Sequence, residues 1–252
     1  MDINSHEGGA PSWVTLTTPD AATSTRFYGS LFGWAYEDGF GDPGTSWTAL
    51  LRGRPVASVV SAEGAGQATW SMHVGVSDAD KTAETVVAAG GRVTTPPYDL
   101  EGAGRAAGFA DHSGTTFAVW QAGGHGGAGV VDEPGAFSRG ELITDDVEAS
   151  AAFYRAVFGW TLGDPQGPLG RRELRLNGRA VTELLPRPAA MPAGIPPYWD
   201  VYFTVADAES AVGAVPALGG TVLMGATPVE HGTIAVFADP AGAVFTVVAP
   251  EK

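Results

Sequence analysis

Apolar and polar positions along the chain follow two periods, and the same order of periods recurs. Residues 13–18 alternate as a half-buried strand does. Asp20 is placed to cap a helix by accepting from its first backbone N–H groups, and Gly33 to end it in the left-handed conformation. Between them Phe27 and Leu31 lie one turn apart, as do Tyr28 and Phe32. Three short strands follow near 35–38, 46–51 and 54–60. The pattern then restarts with a strand near 69–76, a helix near 79–89 and strands near 92–98, 105–111 and 115–120.

The second half of the chain repeats the first. Ser12–Trp34 (SWVTLTTPDAATSTRFYGSLFGW) and Ser138–Trp160 (SRGELITDDVEASAAFYRAVFGW) share 10 of 23 positions at an offset of 126. Gly53-Arg54-Pro55-Val56 matches Gly178-Arg179-Ala180-Val181, Trp70 matches Trp199, and Gly90-Gly91 matches Gly219-Gly220. In the second helix Val147, Ala151, Tyr154 and Phe158 form one apolar stripe. A fainter repeat lies inside each half, where Asp78 and Gly91 bracket a helix at the spacing of Asp20 and Gly33. The chain therefore reads as four copies of one strand–helix–three-strand unit. Its expected divisions are a flexible tail (1–11), a first domain (12–122), a Gly-rich linker (123–136) and a second domain (137–250).

Composition narrows the function. The 252 residues carry 36 Gly and 18 Pro, in keeping with many turns between short strands. A net charge of −14 disfavours nucleic acid and anionic membranes as partners and leaves a cationic or amphiphilic small ligand open. With no cysteine there is neither a disulfide nor a thiolate metal site. No secretory leader and no apolar run of membrane-spanning length is present, so a cytoplasmic protein is expected. Phosphate-binding loops, dinucleotide-binding glycine patterns and nucleophile elbows are also missing.

The doubled Phe-Tyr-x-x-x-Phe-Gly-Trp, each copy after a strand and a helix-capping Asp, with closing segments FADHSGTTF and FADPAGAVF, resembles the vicinal oxygen chelate superfamily (glyoxalase, bleomycin-resistance and dioxygenase types). The likeness runs from about Pro11 to Val248 and is closest to the two-domain actinobacterial branch. It implies an α+β fold of tandem domains: four βαβββ modules forming two cupped, incompletely closed mixed sheets, each concave side holding a ligand or a metal.

The resemblance also fixes where a metal would be held. In the first half those positions carry Trp13, Ser58, Ser71 and Ala118, which form no plausible ligand set. In the second half they carry Arg139, Glu183, Asp200 and Thr246. Glu183 and Asp200 are the weak metal candidates, but Arg139 places a fixed positive charge among them and is expected to pair with one of them. Glu141 shares Arg139's inward parity. Of the five histidines, His6, His112, His125 and His231 fall in tail, turn or linker, and only His73 lies in a strand, facing the first cavity. Its bland reading is a hydrogen-bonded wall residue and its sharper one a catalytic base.

The expected ligand-binding set is Trp13, Thr15, Trp47, Ser58, Ser71, His73, Tyr98, Ala118 and Trp120 in the first half, with Arg139, Glu141, Glu183, Asp200 and Tyr202 in the second. Trp13 converts a ligand position into an apolar wall suited to stacking on a flat ring, so the first half is expected to take such a ring and the second a polar or cationic group. The favoured function is metal-free binding of an aromatic or polycyclic natural product, for antibiotic sequestration, self-resistance or its biosynthesis, by a monomer or homodimer without a cofactor. The alternative is a lyase, isomerase or dioxygenase of the same superfamily. It would use a divalent metal in the second half, or metal-free acid–base chemistry by His73 or by Glu141 and Glu183. In a third reading one domain is purely structural.

Overall fold

The computed structural model describes residues 8–41, 43–62, 64, 66–192, 194–230 and 232–251; His6 and His231 lie outside them. The first half runs β1 (Pro11–Thr18), α1 (Ala21–Phe32), β2 (Ala35–Asp38), β3 (Ser46–Leu51), β4 (Arg54–Ser61), β5 (Thr69–Gly75), α2 (Ala79–Ala88), β6 (Arg92–Leu100), β7 (Gly104–Ala110) and β8 (Thr116–Ala122). The second runs β9 (Phe137–Thr144), α3 (Val147–Phe158), β10 (Thr161–Leu162), β11 (Arg172–Leu176), β12 (Arg179–Pro186) and β13 (Tyr198–Thr204). It closes with α4 (Ala208–Ala214), a 3-10 turn (Val215–Leu218), β14 (Thr221–Val229), β15 (Gly232–Ala238) and β16 (Val244–Pro250). Each half forms one open eight-stranded mixed sheet, ordered β2-β3-β4-β1-β5-β8-β7-β6 and β10-β11-β12-β9-β13-β16-β15-β14. The expected fold of four units in two unclosed sheets is observed.

Local chemistry builds the units as the sequence implies. The Asp20 side chain accepts from the Thr23 N–H at 2.9 Å, and Asp146 accepts from that of Ala149 at 3.0 Å. Gly33 and Gly159 end their helices at φ of 74° and 75°, where a Cβ would be strained. Asp78 and Asp207 cap the two shorter helices in the same way.

The halves share a single continuous core. Val14, Leu16 and Leu142, on the faces turned away from the concave sides, are fully buried in it. Each long helix is tied to the closing turn of the other half. The Tyr28 hydroxyl donates to Asp239 at 3.2 Å and accepts from Trp70 Nε1 at 2.8 Å. Tyr154 likewise donates to Asp111 at 3.1 Å and accepts from Trp199 Nε1 at 2.8 Å. The second glycine of each helix-ending pair serves this contact. A Cβ on Gly91 would stand 2.9 Å from the Phe153 ring, and one on Gly220 2.8 Å from the Phe27 ring.

Two segments are more ordered than their composition implies. Residues 8–11, expected in a flexible tail, are pinned: the Gly9 N–H donates to the Gly75 carbonyl at 2.7 Å, and Trp160 Nε1 donates to the Gly9 carbonyl at 2.6 Å. The Gly-rich stretch is a packed strap in which Ala128, Val130 and Ala136 are buried. Its Gly135 carbonyl accepts from Trp34 Nε1 at 2.6 Å. Among the described residues no helix is long and apolar enough to cross a membrane.

Candidate functional site

Strand pleat assigns the concave face. In the first sheet Thr15 lies across from Ser58 and from Ser71, Trp13 from His73, and His73 from Ala118. Paired residues share a face, so Trp13, Thr15, Ser58, Ser71, His73, Ala118 and Trp120 line one cup. In the second sheet Glu141 lies across from both Glu183 and Asp200, and Tyr202 from Arg139 and Thr246.

Two expected residues fall elsewhere. Trp47 is registered opposite Val59, whose side chain is in the core, and packs on that core face instead of the cup. An aromatic in a strand does not by itself indicate which face it takes. Tyr98 has the cup's parity, opposite Ala106, but sits on edge strand β6 and is 44% exposed, which makes it a rim residue.

The first cup is filled by the protein itself. Trp13 is only 3% exposed, and its Nε1 donates to Ser58 Oγ at 3.0 Å. The strap lays His125 over the mouth, its ring edge-on to Trp13 at 4.5 Å, 5.8 Å from Trp120 and 5.1 Å from Phe40. Trp120 Nε1 donates to the His125 carbonyl at 2.9 Å and packs on Ala103, Ala106 and Leu100. The expectation of an open stacking wall at Trp13 is thereby corrected: the sequence reading placed it in the cup but missed the lid, because a Gly-rich run with one histidine reads as a spacer. His73 faces this interior. Burial lowers its pKa to about 4, so it is neutral, and its Nδ1 is buried without a hydrogen-bond partner.

The second cup is polar at its centre. Glu141 is 1% exposed; it accepts from the Tyr202 hydroxyl at 2.6 Å and is ion-paired with Arg171. Arg139 Nε lies 2.9 Å from Glu183 Oε2 without the alignment of a hydrogen bond, and its guanidinium covers the Tyr202 ring at 4.4 Å. Arg171 Nε reaches the same Glu183 oxygen at 3.4 Å. Asp200 accepts from Thr246 Oγ1 at 2.6 Å through Oδ2, whereas its buried Oδ1 has no partner. Beyond this centre Tyr202, Ile234 and Val248 form an apolar end with Met224 and Val229. Side chains of Arg139, Arg171 and Glu183 keep 26, 22 and 21% of their surface at the mouth.

Burial dominates the proton affinities here. It pushes the Asp200 carboxyl up to about 7, the Thr246 hydrogen bond offsetting only part of the effect, and raises Glu183 against the pull of Arg139. It also holds the Tyr202 phenol well above its ordinary range, with Glu141 adding to the shift. Arg171 is the member that sequence reasoning missed. At the repeat offset of 126 it matches the uncharged Thr45, so the comparison of the halves did not single it out.

Neither cup offers a fitting donor set for the metal that the fold accommodates elsewhere. Trp13, Ser58, Ser71 and Ala118 provide no imidazole or carboxylate. In the second cup the Arg139 guanidinium occupies the charge position beside Glu183 that a cation would take. Among the described residues no group of three or more His, Asp or Glu side chains is arranged to hold a metal ion. Two open hollows, of about 410 Å³ beside Arg26, Trp34 and Tyr36 and about 380 Å³ along 99–105 and 121–124, lie outside both cups. Neither contains the ionisable residues of the cups, so hollow volume alone does not locate the chemistry.

The family profile described as a glyoxalase-like domain matches residues 13–120 and 141–248. Among curated proteins the chain is 36% identical over 251 residues to CFP32 of Mycobacterium bovis, whose name marks it as a provisional glyoxylase, covering 96% of this chain and 95% of that protein. It is 35% identical over 257 residues to the anthracycline biosynthesis protein DauV of Streptomyces sp. (strain C5), covering 95% and 93%. A solved structure of a Mn(II)-bound glyoxalase from Novosphingobium aromaticivorans is similar in fold, with a TM-score of 0.66 and 18% identity over 97% of this chain and 83% of that one.

Proposed function

The chain belongs to the glyoxalase-like domain family, carrying two copies of the domain, and from that premise we propose that it binds a planar, polycyclic aromatic natural product, without a metal, in the cup of its second half. One observation carries the reading. Asp200, 4% exposed, has a buried Oδ1 with no partner among the described residues, and it lies in the cup beside the ion pair of Arg139 and Glu183. Each buried polar group left unsatisfied costs about 1–3 kcal/mol, and more when charged. Such a group is kept where a visiting molecule completes it. The half-buried Met224 and Val229, backed by the buried cluster of Tyr202, Ile234 and Val248, supply an adjoining apolar face for a flat ring. The anthracycline class of ligand is favoured by the relatives DauV and DnrV, named for anthracycline biosynthesis and 35% and 34% identical to this chain.

Asp200 supports a second reading, metal-free proton transfer on the same ligand. A carboxyl raised to about 7 exchanges protons near neutral pH and sits in the cup with a free oxygen.

Calorimetric titration with a hydroxylated anthraquinone, on protein stripped with chelator, tests the proposal. One site of micromolar or tighter affinity, unchanged by added Mn(II) or Zn(II), is expected. No binding, two equal sites, or binding that requires the metal would refute it. Turnover of the ligand in the same samples, lost in Asp200→Asn, would favour proton transfer over binding alone.

A further inference from the structure

We infer that the ligand of the second cup carries a protonated amine, which docks against Asp200 beside Glu183 while the aromatic body lies toward Ile234 and Val248. The inference rests on the placement of the ligand proposed above and adds its charge.

Among the described residues, the charges on the elements that face Asp200 cancel in pairs around it. From β9 come Glu141 and Arg139, from β12 Glu183, and from the residue preceding β11 Arg171. β13 itself contributes Tyr202 and Tyr198, both neutral because their phenols are held above the ordinary range, and β16 contributes Thr246. Glu173 lies across from Glu183 on the same face, but Arg175 neutralises it at 2.7 Å. Arg171 balances Glu141, and Arg139 balances Glu183. Asp200 is left over. It is 4% exposed, and among the described residues Thr246 provides its only side-chain hydrogen bond. The field of Asp132 also reaches Arg139, which deepens the deficit of positive charge.

The unfilled hydrogen-bond positions agree in kind. Asp200 Oδ1 is an acceptor with no donor among the described residues, whereas Glu183 Oε2 already faces Arg139 Nε at 2.9 Å. An ammonium brings donors and one positive charge to an Asp200 oxygen that lacks both, and can share a further N–H with Glu183, whereas a neutral hydroxyl leaves the charge uncancelled. In a buried site that difference counts, because a lone carboxylate there is stabilised chiefly by a close cation. The chain's net charge of −14 favours the approach of such a ligand from solution.

Proton linkage supplies a signature. Binding a cation requires Asp200 to be ionised, so amine affinity weakens as the pH falls below about 7, the value to which burial raises this carboxyl. A neutral ligand whose carbonyl accepts from protonated Asp200 shows the opposite trend.

The test uses 9-(aminomethyl)anthracene, its N-acetyl derivative, and an uncharged hydroxyanthraquinone, titrated calorimetrically into the full chain at pH 5.5 and 8. The amine is expected to bind at least tenfold more tightly than its acetyl derivative at pH 8, and to lose most of that advantage at pH 5.5. Asp200→Asn should erase the difference between the two, with thermal unfolding confirming that the variant folds. Should it fail to fold, the wild-type comparison of amine with amide decides alone. Equal affinity of amine and amide, or amine binding that strengthens at low pH, overturns the inference. If only the uncharged hydroxyanthraquinone binds, the amine is refuted while the aromatic-binding cup stands. If none of the three binds, the cup reading falls with it.

Discussion

The two cups come from one duplicated sequence, yet one is closed by its own side chains and the other holds unsatisfied charge. In the first, Trp13 stands where Arg139 stands in the second, Ser58 where Glu183 stands, and Ser71 where Asp200 stands. The replacement removes every formal charge, and the resulting apolar hollow is covered by His125 and Phe40. In the second, substitution kept the carboxylates and added guanidinium groups, which cannot pack the space as rings do. After duplication one copy can serve the shared core while its twin keeps the chemistry. The cross-ties of Tyr28 to Asp239 and Tyr154 to Asp111, with the shared core, give the first half a structural role even without a ligand.

The largest expected effect tests whether the first cup is filled. Trp13→Ala should destabilise the protein by about 3–5 kcal/mol, the usual cost of emptying a buried aromatic site. Chemical denaturation measures it, and a loss below about 1 kcal/mol would mean that Trp13 lines an open pocket after all. The second effect has the opposite sign. With its pKa raised to about 7, Asp200 holds a proton in the folded state that the unfolded chain has lost. Stability contributed by this residue therefore falls as the pH rises from about 4 to about 7. At pH 8 Asp200→Asn should stabilise the fold by up to about 3–4 kcal/mol, and the gain should vanish near pH 4. A variant less stable than wild type at pH 8 would show that the carboxylate is compensated within the protein.

The smallest of the three sharpens the contrast from the first cup. His73 is half-buried with its Nδ1 enclosed, and desolvation lowers its pKa to about 4, so the unfolded state binds the proton first, and stability falls as the pH drops from about 6.5 toward 4. His73→Gln should remove about 2–3 kcal/mol of that acid-side loss, as an upper limit. Urea unfolding curves at pH 7 and 4.5 measure it. An unchanged acid profile would place the His73 ring in contact with water.

Much of this was legible from sequence, for identifiable reasons. Capping aspartates, the left-handed glycines and the period of the apolar stripe are local signals, and the repeat carried them from one half to the other. Strand parity placed His73 and Glu141 on concave faces, the family resemblance supplied the positions of Trp13, Arg139 and Asp200, and charge implied that Arg139 pairs with Glu183 or Asp200, of which the fold selects Glu183. What escaped depended on contacts distant in sequence or on loops outside the repeat. The strap's return over Trp13, the reach of Arg171 into the cup and the contact of each long helix with the other half's closing turn leave no periodic trace. Trp47 was grouped with the cup only as a strand aromatic, with no face assigned, and its register opposite Val59 sets it on the core face.

The account stands on the claim that the second cup, and not the first, is the binding site, and a crystal structure of the chain soaked with a planar polycyclic amine tests this most directly. Ligand density between Arg139, Asp200 and Tyr202, with His125 still resting on Trp13, is the expected result. Ligand stacked on Trp13 with the strap displaced and the second cup unchanged would contradict it.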